Sequence, residues 1–408
     1  PAELALHGAD VDDVRAARTA GDRGAHRGAQ PGDQQERRDR VAELHLEQLQ
    51  GVDLVDDRAT PETRALFVNL QRLAPDHLLF GHQDDLAYGV DWVREAGRSD
   101  VREVAGDYPA VYGWELGDLE LGAEANLDGV RFDDMQGWIR EGHARGGVIT
   151  LAWHMAHPAT GGNTWDRTPG GVATVLPGAE NHAAFLGWLD TFATFVDGLR
   201  DADGRPIPVL FRPYHEHTGS WFWWGAEQTT VADYQALWRM TVEYLRDEKG
   251  LHNLLYVYSP DVFETEAEYL ERYPGDAYVD VLGSDDYQAL RSDSTVADMT
   301  RRLGTVVRLA EARGKLAVLS ETGLEGVPDD DWWTNRLLRA IEADPDARRV
   351  AYALVWRNAN AAVREAQGQS ATHWFGPHPG GADADDFRRF ADTDFVLLEA
   401  DLPDLYER

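Results

Sequence analysis

From about Ala59 onward, short apolar runs alternate with amphipathic stretches. Eight runs rich in β-branched and aromatic residues read as strands, over residues 78–83, 110–116, 148–154, 208–216, 254–260, 279–287, 316–323 and 351–358. Between them, apolar positions spaced three and four apart predict helices, most clearly over 132–145, 182–200, 231–247, 295–313 and 332–343. A glycine commonly stands before the next strand, at Gly146, Gly204, Gly250 and Gly314, where a helix C-cap is expected. Regular β–α alternation calls for a parallel sheet. Eight units predict a closed α/β structure, the (β/α)8 TIM barrel, over an open doubly wound sheet. GHQDD after the first run is not the glycine pattern of a dinucleotide-binding turn.

The first fifty residues break the pattern. They contain no Phe, Tyr, Trp, Ile, Ser, Asn or Lys, so they offer little to a core. Residues 1–55 therefore read as a polar N-terminal extension and 56–408 as one barrel domain.

Composition narrows the function classes. A hydrophobic content of 43% suits a globular protein with a substantial core. The net charge of −33 disfavours nucleic acid and anionic membrane surfaces, which are met by clustered Lys and Arg, and suits an uncharged partner such as a neutral polysaccharide. Without cysteine there is no disulfide framework and no thiolate chemistry. No apolar run approaches the ~18 residues of a membrane span, and no signal-peptide pattern opens at Pro1.

The predicted strands are apolar in their first halves and carry polar or aromatic residues at their C-terminal ends. These are His82, Gln83 and Asp84; Trp114 and Glu115; Trp153 and His154; Arg212, His215 and Glu216; Asp285, Asp286 and Tyr287; Glu321; and Trp356, Arg357 and Asn358. A barrel of this kind gathers such ends into one active-site face. Glu216 ends the fourth strand in an aromatic-rich loop, and Glu321 ends the seventh. Two carboxylates so placed suit retaining cleavage of a glycosidic bond, one donating a proton and the other attacking the anomeric carbon. That chemistry needs neither cofactor nor metal. The alternation of His215 with His217 and the absence of HExxH argue against a zinc site.

The motifs GHQDDLAYG (81–89), Trp153–His154, RPYHEHTGSWFWWG (212–225), GSDDYQ, SETG and VWRNA (355–359) resemble glycoside hydrolase family 26 over roughly residues 78–390. The resemblance implies an endo-β-1,4-mannanase with Glu216 as acid/base and Glu321 as nucleophile. It implies that Arg212 and Tyr287 hold the nucleophile, and that His154 and His215 contact the sugar in the −1 subsite, the ring that becomes covalently attached. Trp356 would be the stacking platform beneath that sugar, Trp221 a neighbour of the acid/base, and Arg357 a contact to the −2 sugar. The implied partner is a β-mannan, galactomannan or glucomannan, met by a secreted enzyme. Exo-release of mannobiose, action on β-1,3-xylan or mixed-linkage glucan, and a non-catalytic carbohydrate-binding barrel stay open at this point. The sequence does not give the oligomeric state.

Overall fold

The computed structural model describes residues 51–407, so residues 1–50 of the extension expected over 1–55 lie outside them. Eight parallel strands follow one another around a closed sheet: β1 (Leu78–Gln83), β2 (Val111–Glu115), β3 (Val148–Ala152), β4 (Val209–Arg212), β5 (Leu254–Tyr258), β6 (Val281–Asp285), β7 (Leu316–Thr322) and β8 (Tyr352–Val355). β8 closes the ring on β1, with Leu79 opposite Tyr352 and His82 opposite Val355. A two-residue strand, β9 (Val396–Leu397), pairs with Leu78 and Leu79 below the point where β2 joins β1. The expected (β/α)8 barrel is the fold.

The predicted helices are present with two local departures. The 332–343 pattern opens in wide π turns over Trp333–Leu338 before the α-helical Arg339–Glu342, and Val231–Glu243 runs into a similar turn at Tyr244–Glu248. Gly204 turns a loop instead of capping, because the preceding helix has already ended at Asp197.

Side chains alternate across each strand, as a period of two requires. Leu79, Val111, Val148, Leu210, Leu255 and Val281 point into the barrel, where Leu66, Phe67 and Leu70 of the helix Pro61–Leu73 join them, together with Leu54. Phe80, Tyr112, Ile149, Phe211, Tyr256 and Leu282 point outward and pack in the layer shared with the surrounding helices. Full burial of one such side chain is worth about 1.5–3 kcal/mol, against about 0–1 kcal/mol for an exposed ion pair. These two layers therefore set the frame that aims the residues at the strand ends.

Candidate active site

The same alternation sorts the polar strand ends. In β2, Val111 faces inward and Trp114 outward, so Glu115 returns to the interior; in β3 and its continuation, Trp153 faces outward and His154 inward. Trp114 stacks on Trp138 with ring centroids 5.9 Å apart, and Trp153 stacks on Phe192 at 5.3 Å. Both are fully buried between sheet and helices and belong to the core. Arg212, Asp285 and Trp356 take the inward position.

Strand β7 departs from this count. Leu319 lies opposite Ser284 and Ala353, but Glu321 lies opposite Asp285, and Thr322 opposite Val355. One residue, Ser320, is therefore extra in β7 relative to both neighbours. Such a bulge re-aims the side chains that follow it. Simple alternation from Leu319 would send Glu321 outward, whereas the bulge gives it the inward facing of Asp285. Gly283 makes room for it: a Cβ there would come within 2.5 Å of the Ser320 hydroxyl.

Glu321 is 5% exposed and gripped on both oxygens. Arg212 donates to Oε2 at 2.5 Å, and the Tyr287 hydroxyl donates to Oε1 at 2.6 Å. The other side of the Arg212 guanidinium donates to Asp285 Oδ2 at 2.7 Å. Asp285 in turn accepts from Ser320 at 2.6 Å and Ser259 at 3.1 Å. Burial alone would favour loss of the Arg212 proton, but the two carboxylates reverse this and hold the guanidinium charged. A charge-assisted pair with a fixed guanidinium and a hydroxyl donor together hold this carboxyl in one orientation.

Glu216 sits in the opposite setting. Its backbone takes the left-handed region (φ +52°), as does that of Tyr214 (φ +50°), a conformation unfavourable for residues other than glycine. The turn is pinned where the Glu216 N–H donates to the Ser259 carbonyl at 2.8 Å. Its only side-chain hydrogen-bond partner among the described residues is the Trp221 indole, which donates to Oε2 at 2.6 Å. Burial, then the charge of Glu321, push its carboxyl well above the usual range, with the Trp221 bond opposing them. One site thus holds a carboxyl biased toward the protonated form and another bonded on both oxygens, to a guanidinium and to a hydroxyl. That is the division of roles between an acid and a nucleophile.

His154 and His215 meet between these groups, Nε2 to Nε2 at 3.2 Å, with Phe222 packed against both rings. Trp356 is half-buried beside His154, ring centroids 6.3 Å apart. Trp221, at 36% exposed, borders Glu216. Arg357 has the outward facing and is only 3% exposed. It donates to the Tyr88 hydroxyl at 3.1 Å and to Gln367 Oε1 at 2.8 Å, and pairs with Asp128 at 3.0 Å.

Four neighbours of these residues received no role from the sequence. Glu115 and Asp285 are strand-end carboxylates whose partners lie on other strands. Trp165, 49% exposed, stacks near His154 at 5.8 Å from the loop after β3. Gln367, in the short helix Ala361–Gln367 after β8, donates to the Leu127 carbonyl and to Asp128, joining the loops that follow β2 and β8. With His154, Asn163 and Gln369, Trp165 and Gln367 line a cavity of about 510 Å³.

Comparison with known proteins settles the family. The profile of glycosyl hydrolase family 26 matches residues 55–336. The chain belongs to that family. Among curated relatives, a mannan endo-1,4-β-mannosidase of Bifidobacterium adolescentis is 35% identical over 370 residues, covering 85% of this chain and 35% of that protein. A Bacillus subtilis protein of the same name is 31% identical over 218 residues, covering 49% of this chain and 56% of that one. The chain thus spans about a third to a half of the length of these relatives. Among solved structures, a family 26 β-mannanase from Bacteroides ovatus superposes with a TM-score of 0.80 at 46% identity, covering 86% of this chain and 98% of that one. A modular endo-β-1,4-mannanase from Cellulomonas fimi gives 0.79 at 36% identity, covering 88% and 80%.

In this family 26 chain, the cavity beside His154 offers an indole face, amide groups and a single carboxylate, Asp118, with no lysine or arginine in its lining. Neutral amides and a flat apolar face match a sugar's hydroxyls and its CH-rich side. No helix of the described residues is long and apolar enough to cross a membrane.

Proposed function

We propose that this chain is an endo-acting β-1,4-mannanase that works with net retention. The observation that carries the reading is the pairing, at one barrel mouth, of Glu321, gripped by Arg212 and Tyr287, with Glu216, whose carboxyl is pushed above the usual range. Glu321 attacks the anomeric carbon of the −1 mannosyl unit while Glu216 protonates the departing glycosidic oxygen. Water, deprotonated by Glu216, then attacks the mannosyl–Glu321 ester and releases the sugar with its original configuration.

Arg212 and Tyr287 orient the nucleophile. His154 and His215 border the −1 sugar, and Trp356 supplies the face beneath it. Trp221 holds the acid/base from the leaving-group side. Arg357 acts on the glycone side, where it ties Asp128 and Gln367 to the edge of the cavity that receives the −2 sugar. The mannan specificity rests on the names of the relatives. A polymeric substrate of this kind places the enzyme outside the cell.

The test is product analysis on galactomannan, xylan and lichenan, with the anomeric configuration of the first product followed by proton NMR. Short manno-oligosaccharides released with β configuration from galactomannan alone are expected. Initial release of the α anomer, or preferential cleavage of xylan or lichenan, would overturn the reading.

A further inference from the structure

Glu115 lies at the end of β2, without exposed surface, and its carboxylate is fully engaged by the β3 segment and its own loop. Oε1 accepts from the backbone N–H of His154 at 2.7 Å and of Gly117 at 2.6 Å, while Oε2 faces His154 Nδ1 at 2.6 Å. Burial opposes ionisation of this carboxylate, but the charge and hydrogen bond of His154, with the two backbone donors added, hold it below the usual carboxylate range. It therefore requires a proton on His154 Nδ1.

The other nitrogen of that ring faces His215 Nε2 at 3.2 Å. Two ring nitrogens at this distance are bonded when one proton lies between them. With Nδ1 of His154 fixed as a donor, two arrangements satisfy the contact. Either His154 is an imidazolium that donates to a neutral His215 carrying its proton on Nδ1, or His154 is neutral and accepts from a His215 carrying its proton on Nε2. Loss of one proton from the pair thus obliges His215 to change tautomer.

We propose that Glu115 is a positioning residue that holds His154 as an imidazolium, and that His154 and His215 act as one proton-sharing unit that sets which nitrogen of His215 carries hydrogen beside the acid/base. This goes beyond the hydrolytic reading, on which it rests only for the naming of Glu216.

The surrounding charges are consistent with the imidazolium state. Facing His154 are Glu115 from β2, Asp128 from the loop after β2, His215 after β4 and Glu321 from β7. Burial opposes its charge, but Glu115 leads the other groups in raising its pKa above the usual histidine value. His215 faces Arg212 and His217 as well as His154, and burial followed by these neighbours keeps it neutral, well below the usual value. One ring is driven to hold the proton and the other to refuse it.

The experiment uses the whole folded chain labelled with 15N-histidine, its ring signals assigned with His154→Gln and His215→Asn. Near pH 7, His154 is expected to show both nitrogens protonated and His215 the Nδ1–H tautomer. As pH rises, one step is expected to remove the His154 proton and convert His215 to the Nε2–H tautomer together. A neutral His154 at pH 7, or independent titration of the two rings, overturns the proposal. In Glu115→Gln the joint step is expected to move to lower pH by about one unit or more, and Glu115→Asp is expected to restore it in part. An unmoved step in folded Glu115→Gln also overturns it, and if that variant fails to fold the wild-type spectra decide alone. These spectra need no substrate, so they stand or fall apart from the hydrolytic assignment, which is tested by loss of turnover in Glu321→Ala.

Discussion

Glu321 stands opposite Asp285 across β7 and β6, although the preceding matched pair is Leu319 with Ser284. The extra residue between them turns the proposed nucleophile into the barrel mouth. It also brings the Ser320 hydroxyl to 2.6 Å from Asp285, so the carboxylate that shares Arg212 with Glu321 is fastened to the bulge itself. Position and ion-pair partner of Glu321 are thus set by one local irregularity.

Gly283→Ala tests that dependence. The new Cβ would meet the Ser320 hydroxyl at 2.5 Å and Ser259 Cβ at 3.1 Å. Overpacking of this kind costs about 1–3 kcal/mol, and a small misplacement of a reacting group costs up to about a hundredfold in rate. A folded variant with a lowered melting temperature and a kcat reduced more than the stability loss explains is expected. Wild-type kcat on galactomannan would show that the bulge tolerates a side chain at 283 and does not control Glu321.

The bulge also marks the limit of what the sequence tells. The alternation that separates Glu115 and His154 from Trp114 and Trp153 is present in the letters once the inward residues of β2 and β3 are fixed. Applied to β7, the same count puts Glu321 on the wrong face, because nothing in LAVLSETG announces an extra residue at Ser320. The eight strands and the strand-end positions of Glu216 and Glu321 were legible because their periodicity is local. The partners Glu115 and Asp285 were not, since each acts on a side chain of another strand and its value depends on register. Trp165 and Gln367 lie in loops, where no periodicity points.

Tyr287→Phe removes one hydroxyl from the grip on Glu321. A hydrogen bond to a charged group is worth about 1.5–3 kcal/mol, so kcat/KM is expected to fall by about ten- to a hundredfold. The melting temperature should change little, because the ring and its edge contact with Phe375 at 5.8 Å remain. Unchanged kinetics in the folded variant would remove Tyr287 from the support of the nucleophile.

Trp356 and Trp114 provide a matched pair of truncations. Trp114→Ala empties a closed site between sheet and helix, a change that costs about 3–5 kcal/mol of stability. Trp356→Ala truncates a side chain that is only half-buried, so mannan hydrolysis is expected to collapse with a much smaller fall in melting temperature. Thermal denaturation and turnover measured on both variants check this. Equal stability losses would place Trp356 in the core.

Glu216 makes a prediction about pH and stability together. Its folded-state pKa is raised, so between the unfolded value and the folded value the native state holds a proton that the unfolded chain has released. Stability therefore falls as pH rises through that window, and the ionised carboxyl remains a burden above it. Glu216→Gln keeps the shape and the Trp221 contact without the charge. It is expected to melt higher than wild type at neutral and alkaline pH, with the difference shrinking as pH falls toward about 4. A constant difference across pH 4–9 would contradict a buried, raised carboxyl at this position.

The same residue predicts a division between substrates. Protonation of the leaving oxygen is essential for a sugar alcohol and nearly irrelevant for an acidic phenol. Glu216→Ala is expected to lose most of its turnover on galactomannan while the first step on a dinitrophenyl β-mannobioside survives, so that the covalent intermediate on Glu321 accumulates and is visible by mass spectrometry. Glu321→Ala, which lacks the attacking group, is expected to fail on both substrates. The complementary variant Trp221→Phe removes the indole donor that lowers the Glu216 pKa, so the protonated acid persists further and the alkaline limb of kcat/KM on galactomannan moves to higher pH. Equal losses on both substrates in Glu216→Ala, or an alkaline limb unmoved in Trp221→Phe, would assign the acid to another residue.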